Sequence, residues 1–63
     1  MHKLRRKKKL TQKQLAELIG VTQSYISKIE QGNVKSLTIG KLLKLAKVLD
    51  VEPEKLLHIL LKN

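Results

Sequence analysis

The chain has 63 residues and a formal net charge of +9, from 14 lysines and arginines against five acids, and it contains no cysteine. A single domain of this size lies near the lower limit for unaided folding, and without cysteine neither a disulfide nor a thiolate metal site can stabilise it. The two histidines are far apart, no apolar run approaches the roughly 18 residues of a membrane span, and no signal peptide is evident, so we expect a soluble, cytoplasmic protein without metal or cofactor.

The aliphatic composition predicts an all-α fold. Thirteen leucines, five isoleucines and four valines, with one tyrosine as the sole aromatic residue, favour a core of branched side chains. We predict five helices, at about residues 2–8, 12–19, 23–31, 39–49 and 53–61.

Four of these helices share one type of start. An apolar residue precedes a capping residue, and a second apolar residue follows five positions after the first, which is the pattern of a hydrophobic staple around an N-cap. The four sets are Leu10-Thr11 with Leu15, Val21-Thr22 with Ile26, Leu37-Thr38 with Leu42, and Val51-Glu52 with Leu56. Gln14 adds a capping box to the first set, and Pro53 stands at the first position of the last helix, where its missing N–H costs nothing.

The helix ends are less uniform in residue type. Gly20 and Gly32 suit the left-handed conformation that commonly ends a helix. Lys9 and Asp50 occupy the corresponding places after the first and fourth helices and are poorer choices for that conformation.

The amino-terminal segment carries most of the excess charge. Residues 1–13 contain seven positive charges and no acid, whereas the remaining fifty residues have a net charge of only +2. Such a run is either a solvated helix face or, beside a helix that enters a DNA groove, a surface that faces phosphates.

The second and third helices form the most informative segment, residues 12–31. Apolar residues stand where two helices joined by a tight turn must be buried, at Leu15, Ile19, Val21, Ile26 and Ile29. Ala16 is small where the helices would cross, and Gly20 is placed for the turn. Together with the net charge, this pattern predicts a DNA-binding helix-turn-helix.

The outward side of the third helix has side chains suited to base recognition. It is polar and free of acids, and its four expected base-contacting residues are Gln23, Ser24, Ser27 and Lys28. A side-chain amide can pair with adenine and an ammonium group with guanine O6 or N7, although an ordinary solvated face would have a similar composition.

Further residues are expected to contact the DNA backbone. Gln12 and Lys13 begin the second helix, whose positive dipole end favours anions. The other expected backbone contacts are Thr22, Tyr25, Asn33 and Lys35. The ring of Tyr25 could equally pack as a half-buried side chain, and the two roles do not exclude each other.

Leu10 to Gly32 reads L-T-Q-x-x-L-A-x-x-x-G-V-T-Q-S-Y-I-S-K-I-E-x-G and resembles the Cro and phage-repressor (Xre-like) helix-turn-helix family; Lys41 to Val51 resembles its fourth helix. The resemblance implies one domain over residues 1–63, a compact five-helix bundle of the phage-repressor-like type, with helices 2 and 3 as the helix-turn-helix. It also implies sequence-specific binding of double-stranded DNA by a transcriptional regulator, expected to be a repressor acting at the nucleoid in a prokaryotic or phage context.

The same resemblance assigns roles to individual residues. Gln23, Ser24 and Lys28 match base-contacting positions, whereas Gln12, Tyr25 and Gln31 match positions that touch the DNA backbone or brace the recognition helix. Arg5 and Glu30 match a structural ion pair that orients the first helix. The chain departs from the family pattern in its short first helix and in Lys9, which stands in place of the usual glycine.

The fifth helix has a wide apolar face. Leu56, Leu57, Ile59, Leu60 and Leu61 spread over roughly 200°, more than the ~100° stripe of a surface helix. Either all of them are core, or Leu57 and Leu61 form part of a two-fold interface, as the fifth helix does in the phage repressors that the chain resembles.

The sequence is also compatible with functions other than DNA binding. The chain could be a protein-interaction module, antitoxin-like or coactivator-like, with weak or secondary DNA binding. Membrane-surface binding is disfavoured because Met1 and Leu4 give the first helix little apolar area. No constellation of catalytic groups is evident, so we expect no enzymatic activity.

Overall fold

The computed structural model describes residues 1–62, and within that range the secondary structure is all α-helix. The five helices are α1 (His2–Lys7), α2 (Gln12–Ile19), α3 (Gln23–Glu30), α4 (Ile39–Leu49) and α5 (Pro53–Lys62). The predicted number, order and type of elements are confirmed, and each boundary lies within one residue of its predicted place. None of these helices is long and apolar enough to cross a membrane.

Threonine caps fix the starts of α2, α3 and α4. Thr11, Thr22 and Thr38 each accept a hydrogen bond through Oγ1 from the backbone N–H three residues later, at 3.0, 3.0 and 3.2 Å. Gln14 completes the predicted capping box, because its Oε1 accepts from the N–H of Thr11 at 2.8 Å. These bonds satisfy backbone donors that a helix start leaves without a partner.

Four helices end in the same left-handed turn. The left-handed residues are Lys9, Gly20, Gly32 and Asp50, with φ values of 58°, 76°, 91° and 55°. After α1, the N–H of Lys9 donates to the carbonyl of Arg6 at 2.8 Å and that of Leu10 to the carbonyl of Arg5 at 3.2 Å, the pair of bonds that defines a Schellman motif. The predicted ends are confirmed, including the two at which no glycine is present.

The core lies between α2, α3, α4 and α5. Six of its side chains are almost completely covered: Leu15, Ile26, Ile29, Leu45, Leu56 and Leu60. Ala16 is also buried, as expected at the crossing of α2 and α3. The expectation that Val21 is buried is wrong: it is half-buried, because it lies in the turn at the edge of the core.

The apolar face of α5 divides between core and surface. Leu56 and Leu60 are buried and Leu57 and Ile59 half-buried, whereas Leu61 is 63% exposed. The alternative in which the whole face is core is therefore wrong for Leu61, which the protein's own chain does not cover.

Candidate nucleic-acid interface

One side of α3 is covered by the core and the other faces solvent. Ile26 and Ile29 are buried, whereas Gln23, Ser24 and Lys28 are exposed. Ser27 lies at the edge of this face, half-buried, and its Oγ accepts a hydrogen bond from Nε2 of Gln31 at 3.3 Å. The exposed side of α3 thus consists mainly of Gln23, Ser24 and Lys28.

The turn between α2 and α3 determines how this face is presented. Gly20 adopts the left-handed conformation, and the N–H of Val21 donates to the carbonyl of Ala16 at 2.9 Å. Thr22 then starts α3 directly after the turn, because its hydroxyl caps the N–H of Tyr25. The first turn of α3 is therefore rigidly tied to the end of α2.

A groove separates α3 from the loop that follows it. It has a volume of about 260 Å³ and is lined by Thr22, Ser24, Tyr25, Lys28, Ile29, Asn33, Lys35 and Ser36. We call it the α3–loop groove. It brings together six residues that the sequence nominated for DNA contact, two of them lysines and none acidic. Such a surface is electrostatically suited to an anion.

Tyr25 connects α3 to this loop. Its ring is half-buried, and its hydroxyl donates to the carbonyl oxygen of Ser36 at 3.0 Å. Nζ of Lys41, at the start of α4, lies 5.6 Å from the ring centroid, within cation–π range. Burial raises the pKa of the Tyr25 hydroxyl, which keeps it a donor. The packing role of Tyr25 is therefore present, and its hydroxyl proton is engaged within the protein.

Neither Ser36 nor Lys41 was nominated from the sequence. The contact of Ser36 is made by a backbone carbonyl, and its place depends on the path of an irregular loop rather than on residue type. The loop is itself braced, because Oδ1 of Asn33 accepts from the N–H of Lys35 at 3.4 Å and the N–H of Leu37 donates to the carbonyl of Val34 at 3.0 Å.

A hydrogen-bonded network links α1, α2 and α3. Arg5 Nε lies 2.9 Å from Glu30 Oε2, and the two side chains are only 13% and 7% exposed. A second guanidinium nitrogen of Arg5, Nη1, donates to the carbonyl of Leu10 at 2.8 Å. This is the ion pair that the family resemblance implies, and it is more enclosed than a surface pair, so breaking it would cost more than the ~1 kcal/mol of an exposed one.

Gln12 extends this network to the start of α3. Its Nε2 donates to Glu30 Oε1 at 2.7 Å, and its Oε1 accepts from Gln23 Nε2 at 3.5 Å. The Gln12 side chain, nominated for a phosphate contact or for bracing, is thus bonded within the protein on both ends of its amide.

The environment of Glu30 keeps its carboxyl ionised. Desolvation by burial raises its pKa, but the hydrogen bonds from Arg5 and Gln12 and the positive charges of Arg5 and the amino terminus outweigh that effect. The net result is a pKa below the ordinary value of 4.5.

The remaining nominated residues lie apart from the groove. Lys13 is exposed on the first turn of α2. Leu57 and Leu61 lie on α5 and do not line the groove. Among residues 1–62, no group of three or more histidines or acids is placed to hold a metal ion.

Comparison with the models of known protein families gives a match. The model of a protein family described as helix-turn-helix matches residues 1–56, a span that contains α2, α3, the α3–loop groove and the whole of α4. No curated protein and no solved structure matches the chain.

Proposed function

The chain belongs to the Xre- and Cro-like helix-turn-helix family of DNA-binding regulators, and we propose that it is a sequence-specific transcriptional repressor that reads the major groove with α3. One observation carries the proposal: the exposed face of α3 is polar, free of acids and continuous with a groove that contains Lys28 and Lys35. Repression would follow from occupation of a promoter or operator in the nucleoid, with no catalytic step.

The proposed base contacts come from the exposed side of α3. Gln23 can offer an amide donor and acceptor to adenine, and Lys28 can donate to guanine O6 or N7. Ser24, exposed between them, can donate to either base edge. Ser27 is a weaker candidate, because it is half-buried and already accepts a bond from Gln31.

The proposed backbone contacts surround that face. Lys35 shares the α3–loop groove with Thr22 and Asn33, so a phosphate placed there would meet a cation, a hydroxyl and an amide. Tyr25 lines the same groove, but its hydroxyl already donates its proton to the carbonyl of Ser36. On the other side of α3, the start of α2 would receive a second phosphate, with Lys13 beside the positive end of the helix. Gln12 could contribute only its second side-chain N–H, because the other N–H and the amide oxygen are bonded within the protein. Gln31 is the remaining candidate for a contact with the DNA backbone.

The charge of the chain gives the proposal a salt dependence. If each protomer neutralises about 4–6 phosphates, the slope of log affinity against log salt is about −4 to −5. A much shallower slope would mean that the cationic surfaces do not engage the DNA backbone.

We also propose that the repressor binds DNA as a homodimer through α5. A domain this small buries too little groove surface for tight specific binding alone. Leu61 is 63% exposed next to the half-buried Leu57, which leaves an apolar edge available to a second copy. A two-fold axis there would place two α3 helices about one DNA turn, ~34 Å, apart and would require a near-palindromic site.

The same exposed Leu61 is the observation that favours the second candidate function, a module whose main partner is a different protein. Measurements of the molecular mass in solution, with and without DNA, distinguish the repressor from the interaction module. A homodimer that forms with rising concentration or on DNA supports the repressor, whereas a protein that stays monomeric with and without DNA supports the interaction module.

Selection from a library of randomised duplexes, at near-physiological salt, tests the proposed function. We expect enrichment of a near-palindromic site with half-sites one helical turn apart. Lys28→Ala should change the enriched motif, while Lys55→Ala, which removes the same charge beside Ala46 and Asp50, should not. Failure of the wild-type protein to enrich any motif would refute sequence-specific binding.

A further inference from the structure

We propose that Lys9 binds a phosphate of the DNA backbone, and that this contact is the use of a side chain that the fold itself does not need. Lys9 lies in the turn between α1 and α2, residues 8–11, which we call the α1–α2 turn. The inference rests on the proposed function in one respect, namely that the start of α2 faces the DNA backbone.

The backbone conformation of Lys9 is a costly one for a lysine. Within residues 1–62, only Lys9 and Asp50 combine a side chain with a left-handed backbone, at φ values of 58° and 55°. The other two left-handed helix ends are glycines, Gly20 and Gly32. Glycine adopts this conformation freely, whereas a Cβ atom crowds the backbone. Lysine at position 9 therefore lowers the stability of the turn relative to glycine.

No contact within the fold accounts for the Lys9 side chain. Asp50, the other left-handed residue with a side chain, has a partner, because its Oδ2 lies 3.6 Å from Lys8 Nζ. Lys9 is exposed, and its ammonium group has no ion pair or hydrogen bond within the part of the chain that the structure describes. A strained residue without a use inside the fold points to a use outside it.

The chemistry of the α1–α2 turn fits an anion. Residues 1–13 contain seven positive charges and no acid. Lys9 and Lys13 are both exposed and stand two residues before and after Thr11, the cap of α2. An ammonium group is a point charge with three donors and no acceptor, which suits a phosphate oxygen. We therefore expect Lys9 to meet a phosphate next to the one that the start of α2 receives.

Hydrogen bonds hold the α1–α2 turn in a fixed place relative to α3. Arg5 Nη1 donates to the carbonyl of Leu10 in this turn at 2.8 Å, and Arg5 Nε lies 2.9 Å from Glu30 Oε2. Glu30 Oε1 accepts from Gln12 Nε2 at 2.7 Å, and Gln12 Oε1 accepts from Gln23 Nε2 at 3.5 Å. When α3 lies in the major groove, the turn is thus held beside the adjoining DNA backbone.

Lys9→Gly removes the ammonium group without weakening the turn. The variant should be at least as stable as the wild type, so weaker binding cannot come from a loss of folded protein. The slope of log affinity against log salt should become shallower by about 0.9. Between about 50 and 200 mM salt, the ratio of wild-type to variant affinity should therefore fall about 3.5-fold. An unchanged slope overturns the proposal.

Two variants distinguish a contact from a general loss of charge. Lys9→Arg keeps a positive charge in the turn, so the wild-type slope should persist, and a slope as shallow as that of Lys9→Gly would contradict the proposal. Lys8→Ala removes an equal charge one residue earlier, but Lys8 is paired with Asp50, so the slope should also persist. If Lys8→Ala flattens the slope as much as Lys9→Gly does, net charge explains the effect and the proposal fails.

Uncharged methylphosphonate linkages locate the contact on the selected duplex. Each linkage is neutralised in turn, and one of them should weaken binding of the wild type but not of Lys9→Gly, which has already lost that contact. The enriched base motif should be the same for both proteins, because a phosphate carries no sequence information. Identical linkage profiles, or an altered motif, would overturn the proposal.

The same experiments separate this inference from the proposed function. A wild-type protein that binds no duplex refutes the proposed function and the Lys9 contact together. A wild-type protein that enriches a motif, with Lys9→Gly matching it at every linkage and every salt concentration, refutes the Lys9 contact alone.

Discussion

Replacing Lys9 with glycine should stabilise the fold. Lys9 has a φ of 58°, a left-handed conformation in which a side chain crowds the backbone, and glycine adopts it without that crowding. The two hydrogen bonds that close the turn, at 2.8 and 3.2 Å, come from the N–H groups of Lys9 and Leu10, which the substitution leaves intact. The Lys9 side chain is exposed, so little packing is lost.

The size of the effect is the difference between two opposing terms. A left-handed residue with a side chain costs roughly 1–2 kcal/mol. Glycine loses more backbone entropy on folding, roughly 0.5–1 kcal/mol relative to alanine. The net gain is therefore about 0.75 kcal/mol, the middle of a range from about 0 to 1.5 kcal/mol, and for a domain of this size it raises the melting temperature by about 3–6 °C.

Thermal unfolding followed by far-UV circular dichroism measures this gain. Lys9→Ala is the matched control, because it removes the same charge but keeps the strained conformation. Gly20→Ala is the reverse change: φ is 76° and nothing lies within 4 Å of an added Cβ, so the loss of about 1 kcal/mol would be conformational alone. If Lys9→Gly is no more stable than Lys9→Ala, the strain argument is wrong.

Three other predictions concern binding, pH and assembly. Lys28→Ala should cost about 1–3 kcal/mol on the preferred duplex and relax one base pair in competition binding; an equal loss on random duplexes would make Lys28 a phosphate contact. Folding lowers the pKa of Glu30. The stabilisation that its ionised carboxylate gives the fold is therefore complete above the unfolded-state pKa near 4.5 and is lost as the pH falls through the lower folded-state pKa. The difference in unfolding free energy between wild type and Glu30→Gln should therefore shrink on acidification, and a constant difference would contradict this. Leu61→Glu should weaken self-association in sedimentation experiments with little change in the monomer's fold, since Leu61 is 63% exposed; an unchanged dimer would refute the proposed interface.

Local features of this fold were predictable because their causes are local. A threonine cap with apolar residues on either side needs only a few consecutive residues, and Thr11, Thr22 and Thr38 start helices as expected. The left-handed ends at Lys9 and Asp50 were predictable from position even without glycine. Each residue stands between the end of one predicted helix and the start of the next, where the chain must change direction.

Contacts between distant segments were not predictable from spacing. Arg5 and Glu30 are 25 residues apart, and only the family resemblance linked them. The contact of Gln12 with Glu30 and the bond from Tyr25 to the Ser36 carbonyl depend on how the helices and the loop pack. The half-burial of Ser27 has the same origin, since helical periodicity alone places it on the outward side.

The most direct test of the proposed function is an NMR titration of the ¹⁵N-labelled protein with its selected duplex, at near-physiological salt. The largest amide shifts should fall on the first two turns of α3, at Gln23, Ser24 and Lys28, and on Lys35 in the adjacent groove. Shifts confined to α1 or α5, with the α3 signals unchanged at saturation, would show that another surface binds the duplex.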